Sequence, residues 1–146
     1  MARVSLQLKE WNAEKLLART EKVLEQLGPI YAAEADRQIT SIKWFWPNTT
    51  VRRFSREIVE GPGNRNIVDS GTLLQSRQEP QVSNNAMTIV WGADYALNVA
   101  LGKYGSYIGA SGKPVQPPQI ARNWIGATYQ ALPAMKTFAE KWRVTK

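Results

Sequence analysis

The chain contains no cysteine and no histidine. Without cysteine there is no disulfide framework, no thiolate nucleophile and no cysteine-ligated zinc. Without histidine, Ser-His-Asp and Cys-His chemistry, imidazole metal ligands and the usual near-neutral proton shuttle are lost as well. Few common enzyme mechanisms survive both absences. The expectation is a protein that is not an enzyme and uses no cofactor and no metal. Long hydrophobic runs are also lacking: no stretch approaches the ~20 apolar residues of a membrane helix. The first residues, Met1-Ala2-Arg3-Val4-Ser5, hold no hydrophobic signal core, so the chain reads as soluble and made in a cytoplasm. There is no internal repeat and no block of Lys or Arg. A phosphate-cradling loop is excluded by spacing. Gly112-Lys113 is followed by Pro114 rather than Ser or Thr, no glycine stands five residues before Gly112, and G-x-G-x-x-G is absent.

What is present suits one domain, residues 1–146. Apolar residues make up 43% of 146, and a chain of this size buries roughly two thirds of its unfolded surface without staples. The formal charge is +7, of which +2 falls in residues 1–60 and +5 in residues 61–146. The densest basic cluster is Arg52-Arg53 with Arg56. Such charge is compatible with nucleic acid or an acidic protein face as partner, and equally with a solvated surface.

The stretch 67–101 organises the rest. It opens with Ile67-Val68-Asp69-Ser70-Gly71-Thr72-Leu73-Leu74-Gln75-Ser76, in which Asp69 and Ser70 can bond nearby backbone N–H groups and Gly71 supplies the φ of a sharp turn. It closes with Thr88-Ile89-Val90-Trp91-Gly92 and a small-residue segment, 93–101, that reads as a short helix. Ser83-Asn84-Asn85 is a turn signal, so 73–82 and 86–91 are expected to pair as a long β-hairpin.

Ahead of this stretch, Val4, Leu6 and Leu8 alternate with polar residues as in a short strand. Trp11 follows, and Asn12 can cap a helix. Leu16, Leu17, Thr20, Val23, Leu24 and Leu27, then Tyr31, Ala35, Ile39 and Ile42, carry a helical rhythm over about 12–43. A kink or break is expected at Gly28-Pro29, since a continuous helix forfeits a backbone bond at Pro29, at ~3 kcal/mol. Trp44-Phe45-Trp46-Pro47 stops the helix, either as core at the helix–sheet seam or as an exposed anchor. Residues 48–65, with Arg52, Arg53 and Arg56, read as a mobile loop or extended hairpin arm. Residues 102–118, with four glycines, Lys103, Tyr104, Tyr107 and Lys113, read as a flexible partner-facing loop. Pro117-Pro118 launches a last helix. Its seam holds Ile120, Trp124, Thr128, Leu132, Met135, Phe138 and Trp142, widened by Ile125, Tyr129 and Ala139, and Pro133 kinks it. The order of elements implies an α+β fold: a small antiparallel β-sheet with a long hairpin, and N-terminal helices and a C-terminal helix packed on one face. Asp69 and Asp94 are the only paired carboxylates near the centre. Turn and cap formation accounts for them, although a two-carboxylate hydrolase would need both in one cleft.

The residues Ile67, Asp69, Ser70, Gly71, Leu73 and Ser76, followed by Val90, Gly92, Tyr95 and Ala96, then Gly102, Pro117 and Pro118 and the last helix, resemble the small tail-completion proteins of tailed bacteriophages. That group includes tail terminators and other neck components. Two departures stand out: Val99-Ala100-Leu101-Gly102 replaces an acidic or His residue before Phe/His-Gly, and Gln116-Pro117-Pro118-Gln119 lacks an arginine between prolines and an aromatic. The resemblance implies a structural virion protein of the neck, joining tail tube to head connector. It implies a homo-oligomeric ring, usually a hexamer, assembled in the host cytoplasm. Family motif positions would be Asp69, Gly71, Leu73, Gly92, Tyr95 and Gly102. Contacts with neighbouring subunits, partners or DNA passing through the channel are expected from Arg52, Arg53, Arg56, Lys103, Tyr104, Tyr107 and Lys113. The alternative is a sequence-independent nucleic-acid-binding module, in which these basic and aromatic residues track a backbone and stack on bases.

Overall fold

The structure, a computed structural model, describes residues 13–51, 55–68, 71–103, 105–108, 111–116 and 118–145, with backbone alone at 51 and 107. The strand expected at Val4, Leu6 and Leu8, the Trp11-Asn12 cap, Arg52, Arg53, Asp69, Ser70 and Tyr104 lie outside the described residues.

Helix α1 runs from Ala13 to Thr40 as one element of 28 residues, with Pro29 inside it. Of the kink or break expected at Gly28-Pro29, the break into two helices is not there. Pro29 lies on the exposed side, as does Glu25, whose carbonyl loses its donor and can turn to water instead. The offset comes from packing at both ends. Val23, Leu27 and Tyr31 are buried in one core cluster, and Ala35 and Ile39 in another. Fully burying a side chain such as Val23 or Ile39 contributes ~1.5–3 kcal/mol, so the two clusters outweigh one lost bond.

After α1 the chain forms an arm. Strands β1 (Trp44–Trp46) and β4 (Gly63–Arg65) pair antiparallel, and beyond them β2 (Thr50–Val51) pairs with β3 (Ile58–Val59). Both ladders keep the same register, Trp44 opposite Arg65 through to Val51 opposite Ile58, so residues 44–51 and 58–65 run alongside each other as one ribbon. The hairpin-arm reading of this segment holds.

The stretch that follows departs from expectation in its first half. Thr72–Gln75 is a single helical turn, α2, not a strand. Gly71 enters it at φ +80°. Gln75 N–H donates to the Gly71 carbonyl at 2.9 Å and Ser76 N–H to that of Thr72 at 2.8 Å. Adjacent Leu73 and Leu74 both turn toward the core, which a helical turn allows and a strand, with alternating faces, does not. Strands β5 (Gln81–Ser83) and β6 (Ala86–Thr88) make the hairpin. Its two turn residues, Asn84 and Asn85, both have positive φ, the geometry that matches strand twist. The regular ladder is three residue pairs long, with Arg77 bridged to Trp91 nearer its base. The long hairpin expected over 73–91 is thus a short one with intermittent pairing below it. Helix α3 (Ala96–Leu101) follows, then a small ladder of β7 (Tyr107–Ile108) and β8 (Pro114–Val115).

The last helix is two helices, α4 (Trp124–Ala131) and α5 (Ala134–Val144). Leu132, at φ −124° and ψ 77°, has left the helical region, as the residue before a proline does. Pro133 starts a new helix rather than bending an old one. Met135, expected in the seam, is 86% exposed in consequence, and Ile120 precedes the helix, half-buried.

The fold is α+β. The expected single sheet is instead four separate two-stranded antiparallel ladders among the described residues. Helix α1 is the spine: it packs on α4, α5 and the β5–β6 hairpin. One core cluster joins Ala35, Ile39, Leu73, Ala96, Ala100 and Trp124; the other joins Val23, Leu27 and Tyr31 to Met87, Ile89, Leu132, Phe138 and Trp142.

Candidate interaction surface

The positions that carry the sequence motif build the core and its connections. Leu73 is buried beside Ala96, Ala100 and Trp124. Gly92 N–H donates to the Ser76 carbonyl at 2.9 Å, which brings the two halves of the motif together. Tyr95 caps α3, and its carbonyl accepts from Val99 N–H at 3.1 Å. Its side chain is exposed. Gly102 ends α3 at φ +68°, with Lys103 N–H donating to the Asn98 carbonyl at 2.9 Å and Gly102 N–H to that of Val99 at 3.4 Å. This paired closure is the common glycine-terminated helix end. Here glycine is required twice over, because a Cβ at 102 would stand 2.3 Å from the Ala121 nitrogen.

That close approach defines a neck. Arg122 N–H donates to the Val99 carbonyl at 3.1 Å, so the loop that leaves the core at Gly102 returns to the same spot at Ala121. Within it, Gly112 has φ +72° and lies in the turn between β7 and β8. The loop therefore has a small ladder of its own. Ile108 on that ladder is exposed.

The base of the arm is fastened at the same place. Trp46 lies between two guanidinium groups, that of Arg65 at 3.8 Å and that of Arg122 at 3.6 Å from the ring centroid. Arg122 is only 4% exposed. It donates from Nη2 to the Phe45 carbonyl at 3.2 Å and from Nη1 to that of Ile120 at 3.3 Å. Arg65 also donates to Thr50 Oγ1. Cation–π contacts of this kind contribute ~0.5–2 kcal/mol, more when desolvated. Trp44, two residues earlier on the same face, donates Nε1–H to the Gln38 carbonyl at 2.8 Å and packs on the core. The aromatic triplet thus divides: Trp44 and Trp46 face inward, and Phe45 is 50% exposed. The Arg–Trp–Arg stack was not anticipated. A lone arginine between Ile120 and Trp124 in an apolar stretch was the available signal.

Three of the basic residues proposed for contact fall on three different segments among the described residues. Arg56, at φ 59°, is exposed near the turn of the arm, Lys103 follows the end of α3, and Lys113 stands in the β7–β8 turn. Asp94 is exposed in the turn before α3. No group of three or more Asp, Glu, His or Cys that could hold a metal occurs among the described residues, and no helix there is long and apolar enough to cross a membrane. The perturbed carboxylate is elsewhere. Glu34 on α1 is held below the usual carboxylate range, first by hydrogen bonds from Arg37, against the opposing effect of burial, and further by Gln38. Comparison with family models, characterised proteins and solved structures returned no match.

Proposed function

We propose that the chain is a structural subunit of a tailed-phage neck, of the tail-completion or tail-terminator kind. It joins with copies of itself in a ring and contacts the tail tube and head connector without catalysis. The reading rests on the sequence resemblance, and one structural observation supports it: the arm and the 102–121 loop leave the core at a single clamp. Of the motif residues between them, Leu73 and Ala96 go to the core, and the two extended segments are left for neighbours. Among the described residues the exposed apolar side chains include Phe45 and Ile58 on the arm, Ile108 on the loop ladder, and Leu97 and Leu101 on α3. A ring needs one heterologous contact repeated around a closed circle, and surface of this chemistry suits it. Arg56, Lys103 and Lys113 facing a lumen would favour passing DNA without reading sequence.

Light scattering on the purified chain, with electron micrographs and mass spectrometry of purified particles, tests this. Rings of hexamer mass and presence in the particle are expected. Absence from mature particles would refute it. The second reading, a sequence-independent nucleic-acid-binding module, draws on the net charge of +7 and on these exposed cations. A gel shift that persists at moderate salt in the absence of rings would favour it.

A further inference from the structure

Helix α5 covers a core to which it gives no buried residue. Val23, Leu27 and Tyr31 of α1 are buried, while Leu132, Phe138 and Trp142, which pack on them, are only partly so. Within α5 itself no residue is buried, whereas α4 buries Trp124 and Thr128. The helix that α5 packs on is α1. The Arg19 guanidinium lies 4.2 Å from the Trp142 ring centroid and donates to the Trp142 carbonyl. Just past the helix, Thr145 is buried, and its Oγ1 donates to Gln26 Oε1 at 3.2 Å. An element with so little apolar surface buried stands at the low end of local stability and is among the first to open. Its opening uncovers the Val23–Leu27–Tyr31 stripe.

The joint that would open is two residues long. Leu132 (φ −124°, ψ 77°) and Pro133 (φ −58°, ψ 120°) both leave helical geometry between Ala131 and Ala134. Tyr31 Oη–H donates to the Leu132 carbonyl at 2.7 Å and pins it. Short joints between packed elements invite exchange of the element between copies.

We infer that α5 is such an exchanged element: the α5 of one copy seats on the Val23–Leu27–Tyr31 stripe of a second copy of this chain. The fit of stripe and occupant is already formed within one chain. Phe138 and Trp142 meet the same stripe, and Trp142 the same Arg19, whichever copy supplies the helix. Since the contacts of α5 are alike in both forms, concentration and the joint decide between them. Passed from each copy to the next, the helix makes a head-to-tail contact of the kind that closes into a ring. The inference rests on the ring reading above for its second copy.

The chain has no cysteine, so substitutions introduce the only thiols. In dilute solution the double variant Gln26→Cys with Thr145→Cys is expected to be linked within one chain by a short bis-maleimide, which shows that the pair is in reach. A Gln26→Cys chain and an isotope-labelled Thr145→Cys chain are then unfolded, mixed, refolded and assembled. A link from position 26 of the unlabelled chain to position 145 of the labelled one is expected in the assembled fraction. Rings without that link overturn the exchange and leave the ring reading standing. In a second variant, Gly-Ser-Gly inserted between Leu132 and Pro133 relaxes the joint. The link between chains is expected to fall about tenfold, with the thermal midpoint of the dissociated chain unchanged. An undiminished yield overturns the role given to the joint, and with it the inference. A chain that never assembles overturns the exchange, and its absence from particles removes the ring reading as well.

Discussion

Two glycines, Gly71 and Gly102, hold similar left-handed backbone, at φ +80° and +68°, yet their surroundings differ. An alanine Cβ at 71 would first meet Gln75 Nε2 at 3.4 Å, the far end of a flexible side chain. At 102 it would meet backbone: Ala121 N at 2.3 Å, the Ile120 carbonyl carbon at 2.4 Å and Ala121 Cα at 2.8 Å. Gly71→Ala therefore costs the conformational term alone, about 1–2 kcal/mol. Gly102→Ala adds the separation of two backbone segments and the loss of the Arg122-to-Val99 hydrogen bond, itself about 1 kcal/mol. The total is about 3 kcal/mol or more. For a chain of this length each 1 kcal/mol moves the thermal midpoint by ~2–4 °C, so the two variants should be resolved without difficulty. Urea titration with an unchanged m-value is the confirming measurement. Asparagine, which tolerates positive φ, is expected to recover stability at 71 and not at 102. Equal losses at the two sites would refute the claim that the neck is closed by backbone contact.

Arg122→Met removes the guanidinium from the Trp46 face and from the Phe45 and Ile120 carbonyls. It is expected to cost about 2–3 kcal/mol, and limited proteolysis should show faster cleavage within 48–62 at the arm base. Unchanged cleavage would mean that the stack does not fasten the arm. Gly71→Val is expected to be worse than Gly71→Ala, because a β-branched residue strains a positive-φ position further; matching melting curves would contradict this. Deleting residues 104–113 leaves the neck intact and should spare the thermal midpoint while weakening assembly by light scattering; normal rings would take the loop out of the interface. Because Glu34 is held below its ordinary value of 4.5, its contribution is present above that pH and is lost as pH falls through the lower folded value. Glu34→Gln should flatten the loss of thermal midpoint below pH 4.5, and a parallel decline in both proteins would show that the carboxylate does not contribute.

Short-range chemistry was the part legible from sequence. The positive-φ pair at Asn84-Asn85, the helix end at Gly102 and the sharp turn at Gly71 each follow from residues that favour such backbone, and the helical stripe from Leu16 to Ile39 follows from period alone. What escaped was decided by distant partners. Pro29 is tolerated inside α1 because buried clusters on both sides of it hold the helix, and neither is visible in the local pattern. Pro133 separates two helices where its effect on Leu132 outweighs a periodic seam that continues across it. The Leu73–Gln75 segment became a helical turn because two neighbouring leucines had to reach one core. The arm was legible as a hairpin segment, and the stretch after Gly102 as a loop. Their common fastening through Arg122 was invisible, since it joins residues 77 positions apart.

The stem at Val99, Gly102, Ala121 and Arg122 has a further consequence for how such a chain can diversify. A segment whose two ends are already held together pays little closure entropy when it lengthens, only ~0.6 kcal/mol per doubling. Everything between Lys103 and Ile120 can therefore be exchanged like a cartridge, changing the surface the loop presents while the body that holds it melts at nearly the same temperature.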